Sequence, residues 1–282
     1  MKTQVRESTQ QLSGAAETLL FTLYARALET QRPEPLLHDT KAVEVFNRLE
    51  HDFSKWDGAW KTLVGTIART LEIDRLVLQF MAQHPDTVVL NLGSGLCTRY
   101  FRLKPAQASW YEVDVPEVIE LRHKFLNESK HYHFLGFSVL DDAWMSQIRR
   151  EANQPILVLM EGLSMYLTED ENRFLIQRLQ SHFAPCTMIF DVHSRNYAPQ
   201  IRNTDAVSKT IAILKSGLDS ALEIEAWNTS LTVMSETSLS KKLALYPQRL
   251  PWWIRPFRHL LFKLQPQLSE VWRLIQVQAS VS

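Results

Sequence analysis

The chain carries its clearest structural signal in residues 87–114, TVVLNLGSGLCTRYFRLKPAQASWYEVD. The run from Thr87 to Leu92 is short, apolar and rich in β-branched residues, which favours a strand buried on both faces of a parallel sheet. Gly93 and Gly95 follow at once, although the chain holds only 8 glycines in 282 residues. A Gly-x-Gly turn after a strand lets the backbone reverse sharply and lets a ligand approach the main chain. This half of the stretch therefore predicts a strand that ends at a ligand site.

The other half of the stretch supplies an acid. The run Ala108–Val113 predicts a second strand, and Asp114 stands at its carboxyl end. A carboxylate in this position can accept hydrogen bonds from both hydroxyls of a ribose. The N–H groups of the glycine turn, which leads into a helix, suit an anionic or carboxylate group. Together the turn and Asp114 predict an adenosine-type cofactor, although a tight turn of purely structural use is the alternative.

The identity of the cofactor follows from a missing glycine. A dinucleotide fingerprint has a third glycine three residues after the second, and this chain has Thr98 there. That difference argues against a bound pyrophosphate. S-adenosylmethionine has no phosphate, needs the ribose acid and the open turn, and adds a carboxylate and an ammonium to be matched. S-adenosyl-L-methionine is therefore the expected cofactor.

Composition narrows the functional class. Lys plus Arg and Asp plus Glu both number 31, so no basic field would attract nucleic acid. Cys97 and Cys186 have no Cys or His at metal-ligand spacing, and His131 and His133 lack a third ligand, so no metal is expected. The N-terminus has no signal-peptide core, and no apolar run reaches the ~18 to 20 residues of a transmembrane segment. These features predict a cytoplasmic enzyme.

Residues 1–84 predict a helical extension or cap. Apolar residues recur at helical spacing over Leu12–Thr30, Thr40–Leu49 and Thr62–Gln83. Arg69 lies on the last of these helices, where it could hold the carboxylate of an amino-acid group with two parallel hydrogen bonds. A solvated charge on the helix surface is the alternative.

Residues 85–282 predict a doubly wound α/β domain. Beyond the first two strands, the sequence predicts a helix over Pro116–Glu128 and strands over Tyr132–Phe137, Pro155–Met160, Thr187–Val192, Ala221–Trp227 and Trp272–Ala279, the last two as a hairpin-like pair. Glu161 and Gly162 end the most apolar strand, which in such sheets lies beside the first strand. Glu161 could therefore pair the methionine ammonium, or be a buried, hydrogen-bonded carboxylate.

Three further sites complete the prediction. Ser138, which follows the third strand, or one of Asp141 and Asp142 just after it is expected beside the adenine. His193, at the end of Thr187–Val192, and Tyr166 are candidates for a general base, with a non-catalytic histidine as the alternative.

The region 241–268 is expected to be a lid or a substrate-facing insertion. Its residues 249–263 interleave aromatic and basic side chains. That mixture suits weak contact with a membrane surface, with an oily ligand, or simply a packed outer helix.

Four stretches resemble one family. RPEPLLHD, NLGSGLCTRYFRL, WYEVDVPEV and LMEGLSMYL are similar to the leucine carboxyl methyltransferase-like enzymes, which include bacterial O-methyltransferases of the polyketide type. The resemblance implies a Rossmann-like, seven-stranded, mostly parallel sheet of the class I methyltransferase type, with a helical extension. It implies that the methionine end lies at Gly93, Ser94 and Gly95, the ribose at Asp114 and Val115, the adenine at Ser138 and Val139, the carboxylate at Arg69, and the inner side of the cofactor at Glu161 and Gly162. The chain departs from the family at Cys97, where an acid is usual, and at Ser138-Val139, where Asp-Leu is common.

The predicted function is therefore methyl transfer to a carboxylate or hydroxyl oxygen of a small, hydrophobic molecule. A catalytically altered protein that binds S-adenosylmethionine is one alternative. An NAD(P)-dependent oxidoreductase on the same type of sheet is the other.

Overall fold

The computed structural model describes residues 6–9, 17–196 and 213–281, except for the side chain of Leu261. A seven-stranded sheet organises this part of the chain. Its strands are β1 (Val88–Leu92), β2 (Ser109–Asp114), β3 (Tyr132–Gly136), β4 (Ile156–Met160), β5 (Cys186–His193), β6 (Leu231–Ser238) and β7 (Trp272–Ala279). They lie in the order β3-β2-β1-β4-β5-β7-β6, and only β7 runs antiparallel to its two neighbours. The predicted α/β class with a mostly parallel, seven-stranded sheet is confirmed.

The centre of the sheet explains why its strands are so apolar. Every residue of β1 and β4 is buried, because helices cover both faces of the sheet. The two strands pair in parallel, with Val88 opposite Ile156 and Asn91 opposite Leu159. The order of the strands reverses between β1 and β4, and ligands of open α/β sheets bind at such a switch point.

The helices of the described residues fall into two groups. The helices before the sheet are α1 (Thr18–Thr30), α2 (Thr40–Arg48) and α3 (Trp60–Gln83). Those within and after it are α4 (Arg99–Leu103), α5 (Pro116–His123), α6 (Glu169–Phe183), α7 (Leu222–Glu225), α8 (Leu239–Lys242) and α9 (Arg258–Leu264). Helix α6 begins with a capping box between Thr168 and Glu171.

The N-terminal helices share a hydrophobic core with the sheet. Leu20 and Leu23 of α1 belong to the same buried cluster as Val89 of β1 and Trp110 of β2. The helices are thus fixed to the sheet by common burial, and their side chains reach the carboxyl ends of its strands. The division into residues 1–84 and 85–282 stays a prediction.

One strand prediction is wrong. Ala221–Trp227 does not form a strand, because Leu222–Glu225 is a short helix that buries Ala221 and Ile224, three residues apart, on one face. The partner of β7 is instead β6, a half-exposed edge strand. Helix α5 is shorter than the predicted Pro116–Glu128, because it ends at His123. Leu12–Ala16, the start of the first predicted helix, lie outside the described residues.

Candidate active site

A cavity of about 600 Å³ opens at the carboxyl ends of β1, β2, β4 and β5. Its volume is in the range of small-molecule sites, roughly 300 to 1,000 Å³. Apart from the alternatives Asp141 and Asp142, the site residues predicted from the sequence line it: Arg69, Gly93, Ser94, Gly95, Asp114, Val115, Ser138, Val139, Glu161, Gly162, Tyr166 and His193. The structure therefore brings together residues that span more than a hundred positions of sequence.

The glycine turn needs both of its glycines. Gly93 and Gly95 have φ angles of +63° and +52°, in the left-handed region that favours glycine. A Cβ at Gly93 would lie 3.0 Å from Leu163 Cδ1, and one at Gly95 would lie 3.0 Å from Leu19 Cβ. The turn is thus packed tightly between α1 and the loop after β4, so its backbone forms part of the cavity wall.

The sequence predicts that the N–H groups of this turn bind an anion, but in the structure the protein itself occupies them. The N–H groups of Gly93 and Ser94 donate to the carbonyl of Val113, at 2.9 and 3.3 Å, and that of Gly95 donates to Asp114 Oδ2 at 2.7 Å. The expectation that they would bind an anionic group is wrong, because they hold the end of β2 against β1. The hydroxyl of Ser94 differs, since it is buried without a hydrogen-bond partner among the described residues. A polar ligand could satisfy it.

Asp114 retains acceptor capacity toward the cavity. Oδ1 accepts the Val115 N–H at 2.8 Å and Oδ2 accepts the Gly95 N–H. Each carboxylate oxygen has two lone pairs, so a second donor can reach either one. Burial raises the pKa of Asp114 to about 6, although the two backbone hydrogen bonds oppose the shift. A ligand that donates hydroxyl hydrogens would favour the ionised form.

Glu161 is already engaged by two arginines. Oε1 accepts from Arg69 Nε at 3.0 Å, and Oε2 accepts from Arg99 Nη2 at 2.6 Å. Burial alone would raise the pKa of Glu161, but the positive charges of Arg99 and Arg69 outweigh it and hold the pKa well below its usual value. The carboxylate at the end of β4 is therefore a fixed negative charge.

This carboxylate is one member of a longer chain of buried ion pairs. The chain runs, in order, through Asp191, Arg69, Glu161, Arg99, Asp74, Arg102, Asp39 and Arg26. Successive N–O distances lie between 2.5 and 3.3 Å, and no member exposes more than 12% of its side chain. Four arginines alternate with four carboxylates, so the buried charges cancel. The chain joins helices α1, α3 and α4 to the ends of β4 and β5.

Arg69 is the second member of this chain and lines the cavity. Its Nε and Nη1 donate to Glu161 and Asp191, both at 3.0 Å, so it is not the solvated surface charge that was the alternative prediction. The two hydrogen bonds that were predicted to hold a ligand carboxylate go to protein carboxylates instead. Nη2 makes no hydrogen bond to a described residue, which leaves one donor for a ligand. Gly162, with φ +67°, permits this packing, since a Cβ there would lie 3.1 Å from Arg69 Nη1.

His193 and Tyr166 both line the cavity. The His193 ring stacks on Trp272, and its Nδ1 lies 3.3 Å from the carbonyl of Val271. Since a carbonyl only accepts, Nδ1 carries the proton and Nε2 keeps its lone pair. Burial lowers the pKa of His193 to about 4, although Asp191 opposes the shift. Burial also raises the pKa of Tyr166, against a smaller effect of its hydrogen bond to Thr18. Both side chains are therefore neutral at pH 7.

The ion chain was missed at the sequence level. Asp191 is the only charged residue in the apolar run Thr187–Val192, and this isolation was the available signal. Arg99 and Arg102, three residues apart on α4, share one helix face and both contact Asp74. The partners of each arginine lie far away in sequence, so spacing alone could not pair them.

The comparison with known proteins identifies the family. Residues 20–180 match the leucine carboxyl methyltransferase family. The chain belongs to this family. It is a methyltransferase dependent on S-adenosylmethionine, as its resemblance implied, and the reading as an oxidoreductase is not supported.

Two relatives and one solved structure illustrate the likeness. The tetracenomycin polyketide synthesis O-methyltransferase TcmP of Streptomyces glaucescens is 40% identical over 184 residues, which are 65% of this chain and 67% of that protein. The S-adenosyl-L-methionine-dependent methyltransferase dpfgK of Gibberella zeae is 35% identical over 61% of this chain and 62% of its own length. The crystal structure of a DUF574 family protein from Streptomyces avermitilis, 12% identical, superposes with a TM-score of 0.56 and covers 91% of this chain and 97% of its own. This last likeness shows a shared fold.

The described residues contain neither a membrane-spanning helix nor a metal-binding cluster. Across residues 6–9, 17–196 and 213–281, no helix is long and apolar enough to cross a membrane. In the same residues, no group of three or more His, Cys, Asp or Glu side chains is arranged to hold a metal ion.

Proposed function

We propose that this methyltransferase acts on an oxygen atom of a small, mainly apolar molecule. The observation that carries the proposal is the mixed lining of the cavity. Asp114, Ser94 and Glu161 are polar, whereas Phe21, Leu163 and Leu243 are apolar. A polar cofactor suits the first set of residues, and an apolar acceptor suits the second. The relative named as a polyketide O-methyltransferase supports the choice of oxygen.

The polar residues that line the cavity fit S-adenosylmethionine. Asp114 would accept the ribose hydroxyls, and the orphan hydroxyl of Ser94 would gain a partner. The remaining donor of Arg69 would meet the carboxylate of the methionine, while Glu161 would offer negative charge to its ammonium. Ser138, which is exposed, and Val139, which is buried, would border the adenine. These assignments use only side chains that line the cavity.

Methyl transfer makes modest demands on the protein. When bound, S-adenosylmethionine supplies an electrophilic methyl group on a positively charged sulfur. The residues of this chain would hold the acceptor oxygen in line with that group and keep water out, and alignment alone accounts for a large share of such a rate enhancement. Phe21, Leu163 and Leu243 of the cavity wall suit this role because they are apolar.

His193 separates two kinds of acceptor. A carboxylate is already ionised at pH 7 and needs no base, whereas a hydroxyl must lose a proton as the new bond forms. The free lone pair on His193 Nε2 could take that proton, whereas Tyr166, whose pKa is raised by burial, would keep its own proton at pH 7. With a pKa of about 4, His193 would stay unprotonated across the physiological range but would be a weak base.

The test is a product assay with paired acceptors. The protein is incubated with S-adenosylmethionine labelled in its methyl group and with aromatic hydroxy acids, each offered with its carboxyl free and esterified. A labelled product, located by mass spectrometry, would show which oxygen is methylated. For a hydroxyl acceptor, His193→Asn should lower kcat by about 100-fold or more. The exposed His182→Asn should not change it. For a carboxylate acceptor, neither variant should lower kcat.

A catalytically altered binding protein would give a different result. It would bind S-adenosylmethionine in a calorimetric titration yet label no acceptor in a broad panel. The partner proposed here is a small-molecule methyl acceptor, and a lipid surface at residues 249–263 would be a second, separate partner.

A further inference from the structure

A segment rich in exposed aromatic and basic residues lies on the outside of the protein. Residues 252–264, here called the outer segment, form a turn at 252–254, a 3₁₀ turn at Arg255–Phe257 and helix α9. The segment starts nine residues after Leu243, which lines the cavity. Arg249 fixes the preceding residues to α1 through an ion pair of 2.7 Å with Glu29.

The outer segment turns its apolar face away from the protein. The side chains of Trp252, Trp253, Phe257, Leu260 and Leu264 are between 45% and 79% exposed. Leu260 and Leu264, four positions apart, lie on one face of α9. Trp253 and Phe257 belong to the two turns that lead into this helix. Among the described residues, the other large exposed apolar side chains are scattered along the chain, so this concentration is not the general state of the surface.

None of the carboxylates in the described part of the chain pairs with a cation of the outer segment. No Asp or Glu occurs between Tyr246 and Ser269. Arg255 donates to the carbonyl of Leu250, and Arg258 donates to those of Ala244 and Arg255, so their charge is not neutralised. Lys263 is exposed. In a chain whose net charge is zero, this segment is therefore a local positive patch.

We infer that the outer segment is a docking surface for an anionic lipid bilayer. A helix with Trp, Phe and Leu on one side and only basic charge on the other is the type that lies in the membrane interface. Its cations would meet anionic headgroups while its apolar face enters the acyl boundary. A second copy of the chain fits less well, because a two-fold interface would place the same unpaired cations against one another. The inference does not depend on which acceptor is methylated.

Vesicle sedimentation tests this inference. The full chain is mixed with vesicles of phosphatidylcholine alone, or of phosphatidylcholine with phosphatidylglycerol. We expect binding only to the anionic vesicles, and weaker binding as salt is raised. Lys263→Gln should weaken it about fivefold, the effect of one cation near such a surface. Trp253→Ala combined with Leu260→Ala should weaken it by at least about tenfold.

Matched variants control for general surface effects. Leu222→Ala with Met234→Ala removes two apolar side chains elsewhere that are at least as exposed, and Lys130→Gln removes an exposed charge elsewhere. Both should bind vesicles like the wild type, and every variant should still bind S-adenosylmethionine. Failure of the wild type to bind anionic vesicles, or equal binding by the Trp253 and Leu260 variant, would overturn the inference. So would a dimer, seen by analytical ultracentrifugation, that Trp253→Ala dissociates, since it would assign the surface to a second copy.

Discussion

Glu161→Gln tests whether the buried ion chain stabilises the fold. The substitution keeps the shape of the side chain but removes the negative charge that lies between Arg69 and Arg99, at 3.0 and 2.6 Å. Both arginines are buried, so each would lose a neutralising partner. Removal of one partner of a buried ion pair costs roughly 3–5 kcal/mol. We expect the free energy of unfolding at pH 7, measured by urea denaturation, to fall by about that amount.

The control and the pH dependence sharpen this test. Asp142→Asn breaks an exposed ion pair with Arg178 and should cost no more than about 1 kcal/mol. Because the pKa of Glu161 is lowered in the fold, its ionised form stabilises the protein above the ordinary value of 4.5, and this stability is lost as the pH falls through the folded-state pKa. The difference between wild type and Glu161→Gln should therefore narrow below about pH 4.5. A loss at pH 7 equal to that of Asp142→Asn would refute the reasoning.

Three further predictions concern single residues of the cavity. Because burial raises the pKa of Asp114 to about 6 and a ribose would bind its ionised form, the affinity for S-adenosylhomocysteine should fall about tenfold per pH unit below 6. In calorimetric titrations Asp114→Asn should bind more weakly without this dependence, and an identical pH dependence in the variant would exclude Asp114 as its source. His193 should titrate near pH 4 by NMR of its ring protons, whereas a midpoint near 6.5 would contradict its burial against Trp272. Gly162→Ala should lower the free energy of unfolding by at least about 1 kcal/mol, because φ is +67° and Arg69 lies close. The matched Gly136→Ala, which has no positive φ, should cost less, and equal losses in urea denaturation would argue against this strain.

Local pattern was sufficient to predict the strands that carry the cavity. The glycine turn after Thr87–Leu92, the acid at the end of the second strand and the acid at the end of β4 each depend on a short run of residues, and each was found. Strand β6 was not predicted from the sequence. Strand β6 lies at the edge of the sheet and only its first residue is buried, so apolar and polar residues alternate weakly along it. Leu222–Glu225, by contrast, alternates apolar and acidic residues as a strand would, although it forms a helix.

The pairing of charges could not be predicted from local pattern. Arg69 contacts Asp191 across 122 positions, and Arg99 contacts Glu161 across 62. Which carboxylate neutralises which arginine is decided by the way α3 and α4 pack over the strand ends, and this is a property of the tertiary structure. For the same reason, the sequence suggested free amides at the glycine turn, whereas packing of β2 against β1 commits them to Val113 and Asp114.

A crystal structure of the protein with S-adenosylhomocysteine tests the central claim most directly. The account predicts the nucleoside in the cavity at the ends of β1, β2 and β4, with both ribose hydroxyls within about 2.5–3.2 Å of the Asp114 carboxylate. A nucleoside bound elsewhere, or a ribose that makes no hydrogen bond to Asp114, would contradict it.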